Sequence, residues 1–91
     1  MPAVRKFEPA DFTRVLSIHE ENFREFADPW IYMKAYEISS DMFFVSLDGT
    51  ELSGFVVGMP VDSQRGRILS IAVSKIHRRH GIGSALMMKI M

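Results

Sequence analysis

Ile71-Ala-Val-Ser-Lys-Ile-His-Arg-Arg-His-Gly-Ile-Gly-Ser-Ala-Leu86 runs from an apolar, strand-like segment through a basic, glycine-bearing turn into the start of a helix. The turn, Arg78-Arg79-His80-Gly81-Ile82-Gly83, has the chemistry of an anion cradle. Glycine at 81 and 83 removes Cβ atoms and lets the backbone approach a ligand closely. The first amides of a helix have no intrahelical acceptor, and the helix dipole favours negative charge at that end. Arg78 and Arg79 add positive charge and forked donors suited to phosphate. The spacing fits neither a dinucleotide fingerprint, which needs three glycines, nor a P-loop, which needs Gly-Lys-Ser/Thr after four intervening residues. Two plainer readings compete. One is a helix-start turn with solvated arginines. The other is a nucleic-acid contact built on Lys75, His77, Arg78, Arg79 and His80, but that needs a broader basic face. Eleven basic and eleven acidic side chains cancel over the whole chain, which argues against it.

Upstream of this segment the pattern predicts a strand, two helices and an antiparallel hairpin. Ala3 to Phe7 is a short strand candidate, and Pro9 suits the first turn of a helix. Phe12, Val15, Leu16, His19, Phe23 and Phe26 recur at spacings of three and four, which predicts one helical face. Asp28 and Pro29 cap and open a second helix, with Ile31, Ala35 and Ile38 on its apolar side. Met42 to Leu47 and Leu52 to Val61 are apolar runs around the turn signal Asp48-Gly49. Arg67 to Val73 is a third strand whose near-continuous apolar character predicts burial on both faces. A helix is expected from Ser84 to Met91. The fold class is therefore α/β: strand, two helices, a three-strand antiparallel run, a glycine loop and a helix, in one domain over residues 1–91.

Ninety-one residues suffice for one small core. A composition 47% apolar and 24% charged is globular rather than disordered. The absence of cysteine excludes a disulfide framework, a thiolate metal site and a cysteine nucleophile. Three histidines, His19, His77 and His80, make a closed zinc site of protein ligands a poor expectation. No apolar run approaches the roughly 20 residues of a membrane helix, and the charged N-terminus does not suit a signal peptide. A cytoplasmic protein with no membrane or nucleic-acid partner is expected.

Arg78-x-x-Gly81-x-Gly83 after the strand Ile71-Ala72-Val73, with Ala85-Leu86 in the helix behind, resembles motif A of the GNAT acetyltransferase superfamily. The likeness extends from Val4 to Met91. Within that superfamily the chain is most similar to the RimI-like and protein Nα-acetyltransferase subgroup, through Phe23 with Pro29-Trp30, the strand Gly66 to Val73, and His77-Arg78-Arg79-His80-Gly81. The resemblance implies acetyl-CoA as co-substrate and transfer of its acetyl group to an amine, such as a protein N-terminus. It places the backbone of Ile71, Ala72 and Val73 beside the pantetheine arm. The amides of Arg79, His80, Gly81, Ile82, Gly83 and Ser84, with Arg78, would hold the pyrophosphate. A strand amide, that of Ala72 or Val73, would polarise the thioester carbonyl.

The same resemblance assigns no catalytic base. Arg67 stands where several relatives carry a histidine or tyrosine relay residue, and an arginine is no base at neutral pH. Glu25 lies near an acidic position of some relatives, although a solvated helix charge is the plainer reading for it, as for Glu20 and Glu21. His19 on the apolar stripe reads first as a core histidine. Trp30, Tyr32 and Tyr36 read either as an acceptor groove or as packing of the second helix. Members of the family continue past the motif A helix with further strands and a helix. The expectation is therefore an N-terminal fragment, a truncated reading frame, or a protomer completed by another chain, a homodimer included. A non-catalytic acyl-CoA-binding or assembly module is the alternative to an N-acetyltransferase.

Overall fold

The computed structural model describes residues 3–78 and 81–91. Strand β1 (Ala3–Lys6) leads through a 3-10 turn at Pro9–Asp11 into helix α1 (Phe12–Phe23), followed by α2 (Pro29–Ser39). Strands β2 (Phe43–Asp48), β3 (Glu51–Pro60) and β4 (Gly66–Val73) then pair in sequence, and α3 (Ile82–Ile90) closes the chain. The sheet order is β1-β2-β3-β4, antiparallel throughout. No helix among the described residues is long and apolar enough to cross a membrane.

Strand periodicity divides the core between two faces. Phe43 and Val45 of β2 and Phe55 and Val57 of β3 point to the face covered by α1 and α2, where Val15, Ile18, Tyr32 and Ala35 meet them. Phe7 stacks on Phe43 with ring centroids 4.0 Å apart. Phe44 and Val56 point the other way, onto Ile82 and Leu86 of α3. A Cβ on Gly54 would stand 2.9 Å from the Ala72 carbonyl oxygen and 3.3 Å from the Ile82 side chain. Glycine there lets β4 and α3 close on β3 together.

Three sequence expectations about burial change. Helix α1 stops at Phe23 because Arg24 takes a left-handed conformation with φ 52°. The apolar stripe therefore runs through Val15 and Ile18, and Phe26 lies beyond the helix, 78% exposed. On α2 the inward residues are Tyr32, Ala35 and Ser39, while Ile31 and Ile38 face outward. Ser39 tolerates burial because its hydroxyl shares its one hydrogen between the carbonyls of Gly58 and Ala35, 2.8 and 3.0 Å away. Strand β4 buries only Ala72, since it lies at an edge of the four-strand sheet. The Asp28 cap is as expected: its carboxylate accepts from the Trp30 amide at 3.0 Å.

A buried charge ties β1 to α1. Arg5 donates two guanidinium bonds to Asp11, at 2.7 and 2.9 Å, and the Glu8 amide donates to the same carboxylate at 2.8 Å. Burial pushes the Asp11 carboxyl up, but the Arg5 guanidinium and the Glu8 amide together bring it below the ordinary carboxylate range. The folded form therefore holds its proton less tightly than the unfolded chain. The stabilisation is complete above the unfolded value near pH 4, and is lost as pH falls through the lower folded value. Asp11→Asn should destabilise the protein by about 2 kcal/mol at neutral pH. In urea denaturation the gap between variant and parent should narrow steadily below about pH 4.

Candidate functional site

Two features converge on β4. The first is the turn that follows it. After Val73 the chain bonds back to β3 through the Ser74 amide and the Ser53 carbonyl, at 2.8 Å. A 3-10 turn at Lys75–His77 leads to Arg78. His77 is buried, with Nε2 3.4 Å from an Asp48 carboxylate oxygen and 3.9 Å from one of Glu51, so the turn is anchored to the β2–β3 hairpin. The Lys75 amide donates to the Glu21 carboxylate of α1. Gly81 is the N-cap of α3 at φ 74°, a left-handed conformation that disfavours any Cβ.

The helix starts at Ile82, two residues earlier than expected, and the Ala85 amide donates to the Gly81 carbonyl at 3.0 Å. The amides of Ile82, Gly83 and Ser84 therefore belong to the first turn, ahead of that bond. The Ile82 side chain is buried against Phe44 and Val56, so only its backbone can meet a ligand. Among the described residues, nothing lies within 4 Å of a Cβ built on Gly81 or on Gly83. Those residues leave the space over both glycines open. Arg79 and His80, named as cofactor contacts from sequence, lie outside the described residues.

Strand alternation sorts Ile71, Ala72 and Val73, the three residues that the family resemblance sets beside a pantetheine arm. The Ala72 carbonyl is turned toward Gly54 of β3. The Val73 carbonyl is turned away, where the Asn22 side-chain amide donates to it at 3.0 Å. Because N–H and C=O of one strand residue share a side, the amides of Val73 and Ile71 belong to the open edge and that of Ala72 to the sheet. Asn22 also donates to the Ile18 carbonyl at 2.9 Å and accepts from Arg78 at 2.7 Å. One amide side chain thus fixes the end of β4, the last turn of α1 and the motif arginine. The sequence carries no pattern around Asn22 that would have identified it.

The second feature is a cavity of about 430 Å³ lined by His19 and Phe23 of α1, Glu25 of the connecting turn, Tyr32 of α2, and Leu69 and Ser70 of β4. The β3–β4 register slips here, with Val57 opposite Ser70 and Gly58 opposite Ile68. The extra residue is Leu69, and this bulge brings both Leu69 and Ser70 to the cavity. His19 Nδ1 lies 2.7 Å from the Tyr32 hydroxyl and Nε2 lies 3.2 Å from the Glu25 carboxylate. Tyr32 donates to Ser70 at 3.3 Å. Burial raises the Tyr32 phenol above its ordinary value, against the Ser70 hydrogen bond and with the Glu25 charge, so it stays neutral. Glu25 is not a charge on a helix, because α1 has already ended; the turn carries it back to His19. Of the three aromatic candidates only Tyr32 reaches the cavity: Trp30 is exposed and Tyr36 packs edge-on against Phe7. Arg67 is exposed on β4 opposite Met59.

The model of the Acetyltransferase (GNAT) family matches residues 4–91. The chain belongs to that family. This GNAT chain is similar to Ard1 from Thermoplasma volcanium, with 29% identity and a TM-score of 0.91 over 98% of its own length and 60% of the other chain. The diaminobutyrate acetyltransferase EctA from Paenibacillus lautus, solved with L-2,4-diaminobutyric acid and coenzyme A, shares the fold at 23% identity and a TM-score of 0.86, with 100% and 57% of the two chains covered. So does the ribosomal-protein-S18-alanine N-acetyltransferase from Escherichia coli, at 17% and 0.81, with 97% and 56% covered. The GNAT chain thus spans about three fifths of the length of these structures. No curated protein matches it by sequence. The structure bears out the α/β class and the element order expected of the family.

The two glycines should respond in opposite directions to an added methyl. Gly81→Ala should lower stability by about 1 kcal/mol, because φ 74° is unfavourable for alanine. Gly83→Ala, in helical conformation with open space around it, should raise stability by about 0.5 kcal/mol. Thermal denaturation of the two variants checks both signs.

Proposed function

We propose that this chain binds acetyl-CoA along β4 and α3 and supports transfer of the acetyl group to an amine held in the His19–Ser70 cavity. The observation that carries the proposal is the open space over Gly81 and Gly83 at the N-terminus of α3, next to the exposed edge of β4. A diphosphate fits that chemistry. First-turn amides of Ile82, Gly83 and Ser84 supply donors, the helix end supplies positive potential, and Arg78 supplies a charge that Asn22 positions. Arg79 and His80 belong to the same cradle by the sequence motif.

Ile71 and Val73 present amides at the open edge, which suits them to pair with the pantetheine amides. Of the two residues considered for polarising the thioester carbonyl, Val73 is favoured, because the Ala72 amide is turned into the β3 ladder. When bound, acetyl-CoA supplies the acyl group, which passes from sulfur to the amine nitrogen. The chain's part is to hold the diphosphate, orient the carbonyl and accept the amine proton.

The acceptor is proposed to be a primary amine, with a protein N-terminus favoured by the likeness to Ard1 and to the ribosomal-protein-alanine enzyme. The cavity is half-apolar, with Phe23 and Leu69 beside the polar groups, so it suits a small side chain next to an amine.

Calorimetry with acetyl-CoA tests the cradle. Arg78→Ala combined with Gly81→Asp should weaken binding at least tenfold. Gly83→Ala should also weaken it although it stabilises the fold, since its methyl would occupy the diphosphate space. Unchanged affinity in both variants would sink the assignment. Release of free CoA thiol with Ala- or Ser-starting peptides tests catalysis. Binding without turnover would select the non-catalytic acyl-CoA-binding reading instead.

A further inference from the structure

We infer that Ser70, Tyr32, His19 and Glu25 form a proton path that takes the acceptor's proton from the cavity to solvent. The inference rests on the acetyl-transfer reading above and assigns that reading its missing proton acceptor. The four groups are contributed by β4, α2, α1 and the turn after α1, and they are linked end to end: Ser70 to Tyr32 at 3.3 Å, Tyr32 to His19 Nδ1 at 2.7 Å, His19 Nε2 to Glu25 at 3.2 Å. The inner members are sheltered. Tyr32 is 4% exposed and the His19 side chain 14%, whereas the Glu25 side chain is 65% exposed. The path therefore starts at half-buried Ser70 on the cavity wall next to Ile71, runs through a sheltered middle and ends in water.

Hydrogen-bond accounting gives the chain two complete arrangements. A hydroxyl both donates and accepts, and a neutral imidazole does one at each nitrogen. In the first arrangement Tyr32 donates to Ser70, His19 donates from Nδ1 to Tyr32, and Nε2 faces the Glu25 carboxylate. That last contact is attractive only if Nε2 also carries a proton, so the ring is an imidazolium. In the second arrangement both hydroxyls turn. Ser70 donates to Tyr32, Tyr32 donates to a bare Nδ1, and the neutral ring keeps Nε2–H on Glu25. Each contact along the chain joins one donor to one acceptor in both.

One proton converts the second arrangement into the first. The acceptor's N–H bond breaks as its proton goes to Ser70 Oγ. Ser70 passes its own hydrogen to Tyr32, and Tyr32 passes its own to His19 Nδ1. The two hydroxyls end as they began, neutral and turned round, and the ring has gained one positive charge. The Nε2 proton then leaves through the Glu25 carboxylate to water, which leaves the ring neutral and protonated on Nδ1. Exchange of one further proton with water, gained at Nε2 and lost from Nδ1, restores the starting tautomer and lets the hydroxyls turn back. The acceptor has lost one proton and the solvent has gained one. The neutral phenol that burial enforces at Tyr32 suits a carrier that must both give and take a hydrogen. His19 and Tyr32 are relay residues; neither needs to touch the substrate.

The experiment follows CoA thiol release with an Ala-starting peptide and with a small primary diamine, in water and in mixtures with deuterium oxide. Tyr32→Phe keeps the ring and removes the central oxygen. It should lower kcat at least tenfold while leaving the KM for acetyl-CoA within a factor of two. A curved dependence of rate on deuterium fraction should become linear in this variant, which lost packing alone would not cause. Ser70→Ala, on a half-buried position, should do the same, and the double variant should cost no more than either single change, because the carriers act in series. Should Tyr32→Phe fail to fold, Ser70→Ala decides by itself. The ¹⁵N resonances of His19 give a second measure: the neutral ring should carry its proton on Nε2. Turnover by the parent with both variants unchanged, or a neutral His19 protonated on Nδ1, would overturn the path and leave acetyl transfer standing. Absence of turnover in the parent with either acceptor would instead overturn the acetyl-transfer reading and this inference with it.

Discussion

The ladder between β3 and β4 is the constraint on which the rest of this molecule depends. β3 is packed on both faces, by α1 and α2 on one side and by α3 on the other, so its position is set from two directions. β4 pairs with it along one edge, and among the described residues no strand pairs with its other edge. Everything proposed to meet a ligand hangs from that half-paired strand. The amides of Ile71 and Val73 face the open edge, the bulge at Leu69 aims Ser70 at the cavity, and the turn after Val73 delivers Arg78 and Gly81. A loss of register in the ladder would move all of these together.

Electrostatics here is local. The chain is neutral overall, and among the described residues the positive potential at the proposed cradle arises from backbone amides at a helix start and from Arg78, which the Asn22 side chain holds. Such donors need no reorganisation when an anion arrives, since the backbone and the Asn22 hydrogen bonds already hold them. The cavity proposed for the acceptor uses the opposite device. A histidine, a phenol and a hydroxyl sit in a partly apolar cavity, where the low local dielectric strengthens their mutual hydrogen bonds and makes an unpaired group costly. The two halves of the site thus meet across a single strand with different physics on each side.

Much of the fold was legible because local and global preferences agree. The Asp48-Gly49 turn marked the hairpin, Asp28-Pro29 marked the start of α2, and Gly81-x-Gly83 marked the turn into α3. Burial was less legible where a polar group had found a partner. Tyr32 and Ser39 turn inward on α2 because their hydroxyls are satisfied there, while Ile31 and Ile38 turn outward, which an apolar count cannot anticipate. The buried line of α1 runs through Val15 and Ile18 and not on to Phe26, because the left-handed Arg24 ends the helix first. Nor could apolar content reveal that β4 lies at an edge, which depends on what pairs with it.

The amino-acid order by itself determined the α/β class, the order of elements and the family, because glycine and proline act through backbone geometry that is local to them. Only the tertiary structure decided which strand amide is free, that Asn22 holds Arg78, and that His19, Glu25, Tyr32 and Ser70 join into one chain. Those contacts bridge residues up to 56 positions apart, and no spacing rule in a single sequence connects groups that meet only when two helices and a sheet edge pack together.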